Sequence, residues 1–356
     1  MPAPRPTTKD EACNRLREEA YRVEPDQEFT VRLFEPGDAW GVIRCFFEVY
    51  GDGYPFETYY VPQHLVAAHE KGDMLSAVAV TERGDIVAFG SLLRHVAPNP
   101  RLCETGQASV IPDYRATMAI LCIQECLYTM AGGDAPFDAI FGEAVSNHQV
   151  MQRVSLLFEF AETGIELGLM PGATYGRGDA PEERVSTVLT FKILGDAPRD
   201  LYLPPVYEAV LGGLLSDLPL TRSVRVATAD LPGDAASDLD VRLFQAVGVL
   251  RVMARRAGHD FGDCLARELA LAASKGVLVI QVMVNLDEPW SGRVVDILRG
   301  QGFFFGGLLP QWFGTDGLLM QKLTFRPDCE AIKLQSPKAH ELLAFMRRDM
   351  EQVGRT

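Results

Sequence analysis

The sequence predicts a mixed α+β fold of two tandem lobes, each a mixed, mostly antiparallel sheet flanked by helices. Three observations predict it. The chain has 356 residues, about twice an ordinary domain. Strand-like and helix-like periodicities alternate along it and include a hairpin. One order of features also occurs twice.

Residues 10–21 combine helix formers with a polar surround and predict an N-terminal helix. Phe29 to Phe34 alternates as a strand, and Pro36-Gly37-Asp38 opens a helix running to about Tyr50. Met74 to Val80 and Ile86 to Leu93 form a hairpin around Glu82-Arg83-Gly84-Asp85. Glu104 to Ile111 predicts a strand, Ala116 to Ala131 an apolar helix, Ala139 to Val145 a buried strand and Gln149 to Ala161 a further helix.

The repeat begins at this last strand. Asn147 follows FGEAVS, Gly164 comes 17 residues later, and IELGLMP ends at Pro171. Asn285 follows VLVIQVMV, Gly302 again comes 17 residues later, and FFFGGLLP ends at Pro310. Each copy leads into a β-rich segment, Val185 to Ile193 and Leu318 to Phe325. Repetition of the whole order predicts duplicated lobes. A turn-prone group at Gly195-Asp196-Ala197-Pro198 separates them. The expected organisation is a helical extension over 1–28, lobes over 29–195 and 196–330, and a closing helix within 331–356.

Composition narrows the partners. Hydrophobic residues at 47% and charged residues at 23% match a globular protein. A net charge of −14 without a Lys/Arg-rich run argues against nucleic acid. Seven scattered cysteines, none in a C-x-x-C pair, predict neither a disulfide framework nor a metal site. No apolar run reaches the roughly 20 residues that span a bilayer, and the N-terminus lacks a secretory h-region, so a cytoplasmic protein is expected.

The strand order, with a helix after the fourth strand, and the stretch VIPDYRATMAILCIQECL resemble the GNAT (GCN5-related) N-acetyltransferase superfamily across nearly all of lobe one. Lobe two joins by repetition. The resemblance implies acetyl-CoA, or another acyl-CoA, as cosubstrate, with no metal. It also implies a small-molecule or peptide amine as acceptor. In such a turn, backbone N–H groups and a helix N-terminus converge on the pyrophosphate. The implied contacts are Val110, Arg115, Ala116, Thr117, Met118 and Ala119. Ala116 and Met118 stand where the family usually has glycine. Lobe two offers only Gly258-His259-Asp260 at the corresponding place, and no coenzyme A is expected there.

Transfer to an amine requires a base, and a donor for the leaving thiolate. The resemblance implies a carboxylate on the fourth or fifth strand, which points to Glu104 and Glu143. The usual tyrosine donor is missing from the next helix, leaving Tyr175 in the loop beyond. Tyr54, Phe56, Tyr59 and Tyr60 occupy a loop that serves either as an acceptor lid or as plain packing. His148 reads as a base or, more commonly, a helix cap; Cys122 and Cys126, one turn apart, read as core. GDGYPFETYYVPQHL, GEAVSNH and the double lobe also look like GNAT regions beside anti-sigma-factor-type kinase domains of bacteria. That likeness implies an alternative, a non-catalytic acyl-CoA sensor or interaction module with a signalling protein partner.

Overall fold

The computed structural model describes residues 6–19, 21–133, 137–175 and 183–354. The chain divides into two compact units: residues 1–96, 103–137 and 172–182, and residues 97–102, 138–171 and 183–356.

The first unit carries α1 (Lys9–Glu19), β1 (Phe29–Leu33), α2 (Ala39–Tyr50), α3 (Pro62–Glu70), β2 (Met74–Thr81), β3 (Ile86–Leu93), β4 (Leu102–Val110) and α4 (Ala119–Gly132). The strands lie in the order β1-β2-β3-β4, every pair antiparallel. Helices cover both faces, because successive strand residues point to opposite sides. Phe89 of β3 packs edge-on against Phe46 of α2, with centroids 5.7 Å apart. Its neighbour Gly90 lies under α4, where an added Cβ would meet Ile123 at 2.7 Å. Strand β4 bulges: Phe89 pairs with Ser109 and Ser91 with Gly106, which leaves Gln107 and Ala108 opposite Gly90 alone. Gln107 takes a left-handed φ of 54° there.

The second unit carries β5 (Ala139–Val145), α5 (Val150–Leu157), β6 (Ala161–Met170), β7 (Val185–Ile193), β8 (Arg199–Leu203), α6 (Glu208–Ser216), β9 (Arg222–Val226) and β10 (Asp238–Phe244). These are followed by β11 (Val249–Arg256), α7 (Phe261–Ser274), β12 (Val279–Asn285), α8 (Ser291–Gly300), β13 (Phe304–Leu309), β14 (Gly317–Leu323) and α9 (Pro337–Val353). Eight strands run in the order β5-β7-β6-β13-β14-β12-β11-β10. Within this row β11 and β12 are parallel, and the pairs β5–β7, β7–β6, β13–β14, β14–β12 and β11–β10 are antiparallel. The repeat is therefore real in topology: β5-α5-β6-β7 and β12-α8-β13-β14 each insert their last strand between the other two. The copies meet at β6 and β13, where Gly164 pairs with Gly307.

That seam corrects the glycine alignment. Gly302, with φ 84°, is the left-handed stop between α8 and Phe303. Its counterpart after α5 is Glu159, with φ 61°, directly before Phe160. Gly164 instead lies inside β6, where an added Cβ would sit 2.4 Å from the Gly306 carbonyl oxygen. The shared 17-residue spacing thus matched two glycines with different duties. Glu159 also ends α5 at Leu157, so the expected helix to Ala161 gives way to β6. Helix α4 likewise starts at Ala119, three residues later than expected, because Pro112–Tyr114 forms a 3-10 turn.

Candidate functional site

The turn from β4 to α4 is built by its own sequence. Ile111 stays extended before Pro112, as a residue preceding proline does, and the 3-10 turn Pro112–Tyr114 follows. Tyr114 anchors the turn: it is buried, its hydroxyl donates to the Glu24 carbonyl at 2.9 Å, and it accepts from the Gln27 amide at 3.1 Å. Three turn amides are committed internally. Arg115 N–H donates to Pro112 O at 3.2 Å, Thr117 N–H to Tyr114 O at 3.1 Å and Ala119 N–H to Thr117 Oγ1 at 3.2 Å. Among the described residues, the amides of Ala116 and Met118 have no acceptor. They lie at the N-terminal end of a 14-residue helix, whose dipole favours an anion. Met118 is 60% exposed, so its side chain does not fill the turn. Arg115 adds an exposed guanidinium whose Nε donates to Val110 O at 3.3 Å.

A groove of about 410 Å³ adjoins the turn, lined by Asp26, Glu28, Phe29, Asp113, Tyr114 and Thr117 among others. Its three carboxylates repel phosphate, which leaves the amides of Ala116 and Met118 with Arg115 as the anion-facing part of the turn.

Upstream on β4, Thr105 hydrogen-bonds Gln124 and Tyr128 of α4. Glu104, the preceding residue, is therefore on the opposite face, where its carboxylate helps burial hold the Tyr59 phenol neutral. Phe46 and Tyr59 stack at 4.6 Å, Tyr54 meets both edge-on at 5.4 and 5.5 Å, and Gln107 Nε2 donates to the Tyr54 hydroxyl at 3.2 Å. Burial pushes Tyr54 well above the usual phenol range, with nearby Tyr59, Tyr50 and Tyr175 adding to the shift. The structure thus brings Glu104, Tyr175 and the aromatic loop to one face of the first unit. Tyr60 instead packs inward, its hydroxyl donating to Gly51 O at 2.8 Å.

In the second unit, Glu143 of β5 pairs with Arg251 of β11 at 2.8 Å. His148 Nδ1 accepts from Val150 N–H at 3.3 Å, the geometry of a helix cap. The seven cysteines are free, and no cluster of three or more His, Cys, Asp or Glu residues able to hold a metal exists among the described residues.

The corresponding turn after β11 is closed by its own chain. Gly258 N–H donates to Ser237 Oγ at 2.9 Å, His259 N–H to Ala235 O at 3.1 Å, and Ser237 N–H to Asp260 Oδ1 at 2.8 Å. A Cβ on Gly258 would lie 2.0 Å from Ala235 O, so segment 235–237 is seated directly on the turn. The space past the ends of β11 and β12, bordered by Ala254, Arg256, Asn285 and Glu288, is about 10 Å³, room for about one water.

No protein-family model and no curated protein matches the sequence. Solved structures of N-acetyltransferases do align with about half of it. An enzyme from Staphylococcus aureus Mu50 covers 47% of this chain and 99% of its own, at 11% identity and TM-score 0.38. The ribosomal-protein-S18-alanine N-acetyltransferase from Escherichia coli covers 49% and 100%, at 14% and 0.38. A GCN5-related N-acetyltransferase from Kribbella flavida covers 47% and 98%, at 18% and 0.36. No helix among the described residues is long and apolar enough to cross a membrane.

Proposed function

We propose that the protein is an acyl-CoA-dependent N-acyltransferase whose cosubstrate binds at the β4–α4 turn. The observation that carries this reading is the pair of amides, Ala116 and Met118, that have no acceptor among the described residues, at a helix N-terminus beside the exposed Arg115. Backbone donors and one guanidinium suit a pyrophosphate, which offers only acceptors. The bulge at Gln107 interrupts the regular pairing of β4 just before the turn.

In the proposed reaction Glu104, the candidate carboxylate in the same unit as the turn, takes a proton from the acceptor ammonium. The free amine attacks the thioester carbonyl, a C–N bond forms, and the C–S bond breaks with its electron pair leaving on sulfur. Tyr175, near the neutral Tyr54 phenol, supplies the proton the thiolate takes up. The products are an amide and free coenzyme A, with one proton released overall.

Thermal unfolding with and without acetyl-CoA tests the binding step. A ligand at 100 times its Kd adds about 2.7 kcal/mol of stability. A protein whose melting temperature is unmoved by acetyl-CoA and longer acyl-CoAs does not bind them. The alanine and methionine at the two glycine positions favour a second reading, an acyl-CoA sensor without turnover. Stabilisation by acetyl-CoA with no thiol released in the presence of amines would select it.

A further inference from the structure

In the first unit the strands continue past the hairpin that leads into the helix turn, and in the second they stop there. β10 stands to β11 as β3 stands to β4, the antiparallel neighbour of the strand that runs into a turn and a helix. β2 covers the outer edge of β3, and β1 lies beyond it. The strands that precede β10 do not cover it: β8 and β9 pair with each other in a separate parallel sheet, which leaves β10 last in its row. The row also curls, since Arg251 of β11 donates at 2.8 Å to Glu143 of β5, six positions away. It does not close into a barrel, because no ladder joins β10 to β5 among the described residues. Alternate N–H and C=O groups of Leu239–Leu243 therefore face outward without a ladder partner, the kind of edge that sheets pair or cover.

The side chains of β10, Asp-Leu-Asp-Val-Arg-Leu-Phe, divide between two faces. Leu239, Val241 and Leu243 pack on the core of the unit. Asp240 and Arg242 lie on the other face, joined at 3.0 Å, and Arg255 also reaches Asp240 at 3.2 Å. The Asp240 and Arg242 side chains keep 27% and 35% exposure, so the edge can be reached from solvent. A lone charge on an edge strand discourages pairing. Two opposite charges set evenly about Val241 favour one partner, an antiparallel copy of the same strand.

We propose that β10 is a dimerisation edge, which pairs antiparallel with β10 of a second copy about a two-fold axis at Val241. In that register Val241 faces Val241, Leu239 faces Leu243 of the second copy, and Asp240 faces Arg242 of the second copy. The two-fold axis repeats the last two pairs, so both charges of each strand meet their opposites. The apolar pairs extend the layer that already covers the core. The charges also select the register. A slip of two residues sets Asp240 against Asp240 or Arg242 against Arg242, like charges directly opposite. The register shift between Asp238 and Leu239 lies at the end of this five-residue stretch and leaves it regular. One strand pair is a small contact, and interfaces under about 1,200 Å² are weak, so the dimer depends on concentration. The inference uses residues of the second unit alone and is independent of the acyltransferase reading.

The test is sedimentation velocity of the intact chain from about 1 to 200 µM, a range that reports weak association. The wild-type protein is expected to pass from monomer towards dimer across it. Asp240→Arg and Arg242→Asp each make both cross-strand pairs like-charged and should weaken association about tenfold or more. An equimolar mixture of the two variants should dimerise again, because every facing pair is then opposite in sign. The double variant Asp240→Arg/Arg242→Asp should dimerise for the same reason. Recovery on mixing separates the two explanations of a lost dimer, since mixing does not repair a damaged monomer. A monomer at every concentration, the result expected if the edge takes a different polypeptide, overturns the inference. So does a dimer that both reversals leave intact, or one that mixing fails to restore.

Discussion

The two strand-to-helix turns, one after β4 and one after β11, are built to the same plan and differ in who takes their amides. After β4, the N–H groups of Ala116 and Met118 have no acceptor among the described residues. After β11, Gly258 and His259 donate to Ser237 and Ala235 of the chain itself. Glycine is present at the closed turn and missing from the open one, the reverse of what a glycine-rich phosphate loop suggests. Gly258 is needed because Ala235 O comes so near that no Cβ fits. A glycine at a helix start therefore marks close approach of some backbone, whether the chain's own or a ligand's.

The largest expected effect breaks the open turn. Ala116→Trp fills it, and the roughly 2.7 kcal/mol of stabilisation expected from acetyl-CoA at 100 times Kd should vanish from the melting curve, with the unliganded protein little changed. Next, Gly258→Ala drives a methyl group into Ala235 O and should lower stability by about 1–3 kcal/mol in urea unfolding, without altering acetyl-CoA affinity. Ser237→Ala, which removes the acceptor for Gly258 N–H, should cost about 1 kcal/mol on the same assay, again with affinity unchanged. A gain of acetyl-CoA binding in either second-turn variant would mean that the closed turn is a masked site.

The smallest effect is one of pH. Hydrogen bonds from the Ser237 amide and then its hydroxyl hold Asp260 down to about 2, against 3.8 ordinarily. A depressed carboxylate stabilises the fold above the unfolded value and loses that contribution as pH falls from about 3.8 through 2. Asp260→Asn should flatten that part of the acid-unfolding curve and leave stability at pH 4 to 7 without this slope.

Much of the fold was legible because strand and helix periods are local. Val185–Ile193 and Ala139–Val145 fall where their apolar runs end, and α9 is started by Ser336 capping Ala339 N–H in front of Pro337. The true repeat equivalence was not legible, since a left-handed stop can be Gly302 in one copy and Glu159 in the other. Of the site, the turn and the β4 face that carries Glu104 could be read ahead. Segment 235–237 could not, because nothing local in Ala-Ala-Ser says which helix end it covers. Glu166, Arg251 and Gln281, which hydrogen-bond one another, did leave a trace: each is a polar residue flanked by apolar or glycine neighbours in its strand, which demands buried partners. Their mutual contact depends on the curl of the strand row, which no window of sequence contains.

Isothermal titration of the intact chain with acetyl-CoA bears most directly on the central claim, that one of the two turns is open and the other sealed. One equivalent should bind, the binding should disappear in Ala116→Trp, and Ser237→Ala should leave both stoichiometry and affinity as they were. No binding heat, two equivalents, or a single equivalent that survives Ala116→Trp would contradict it.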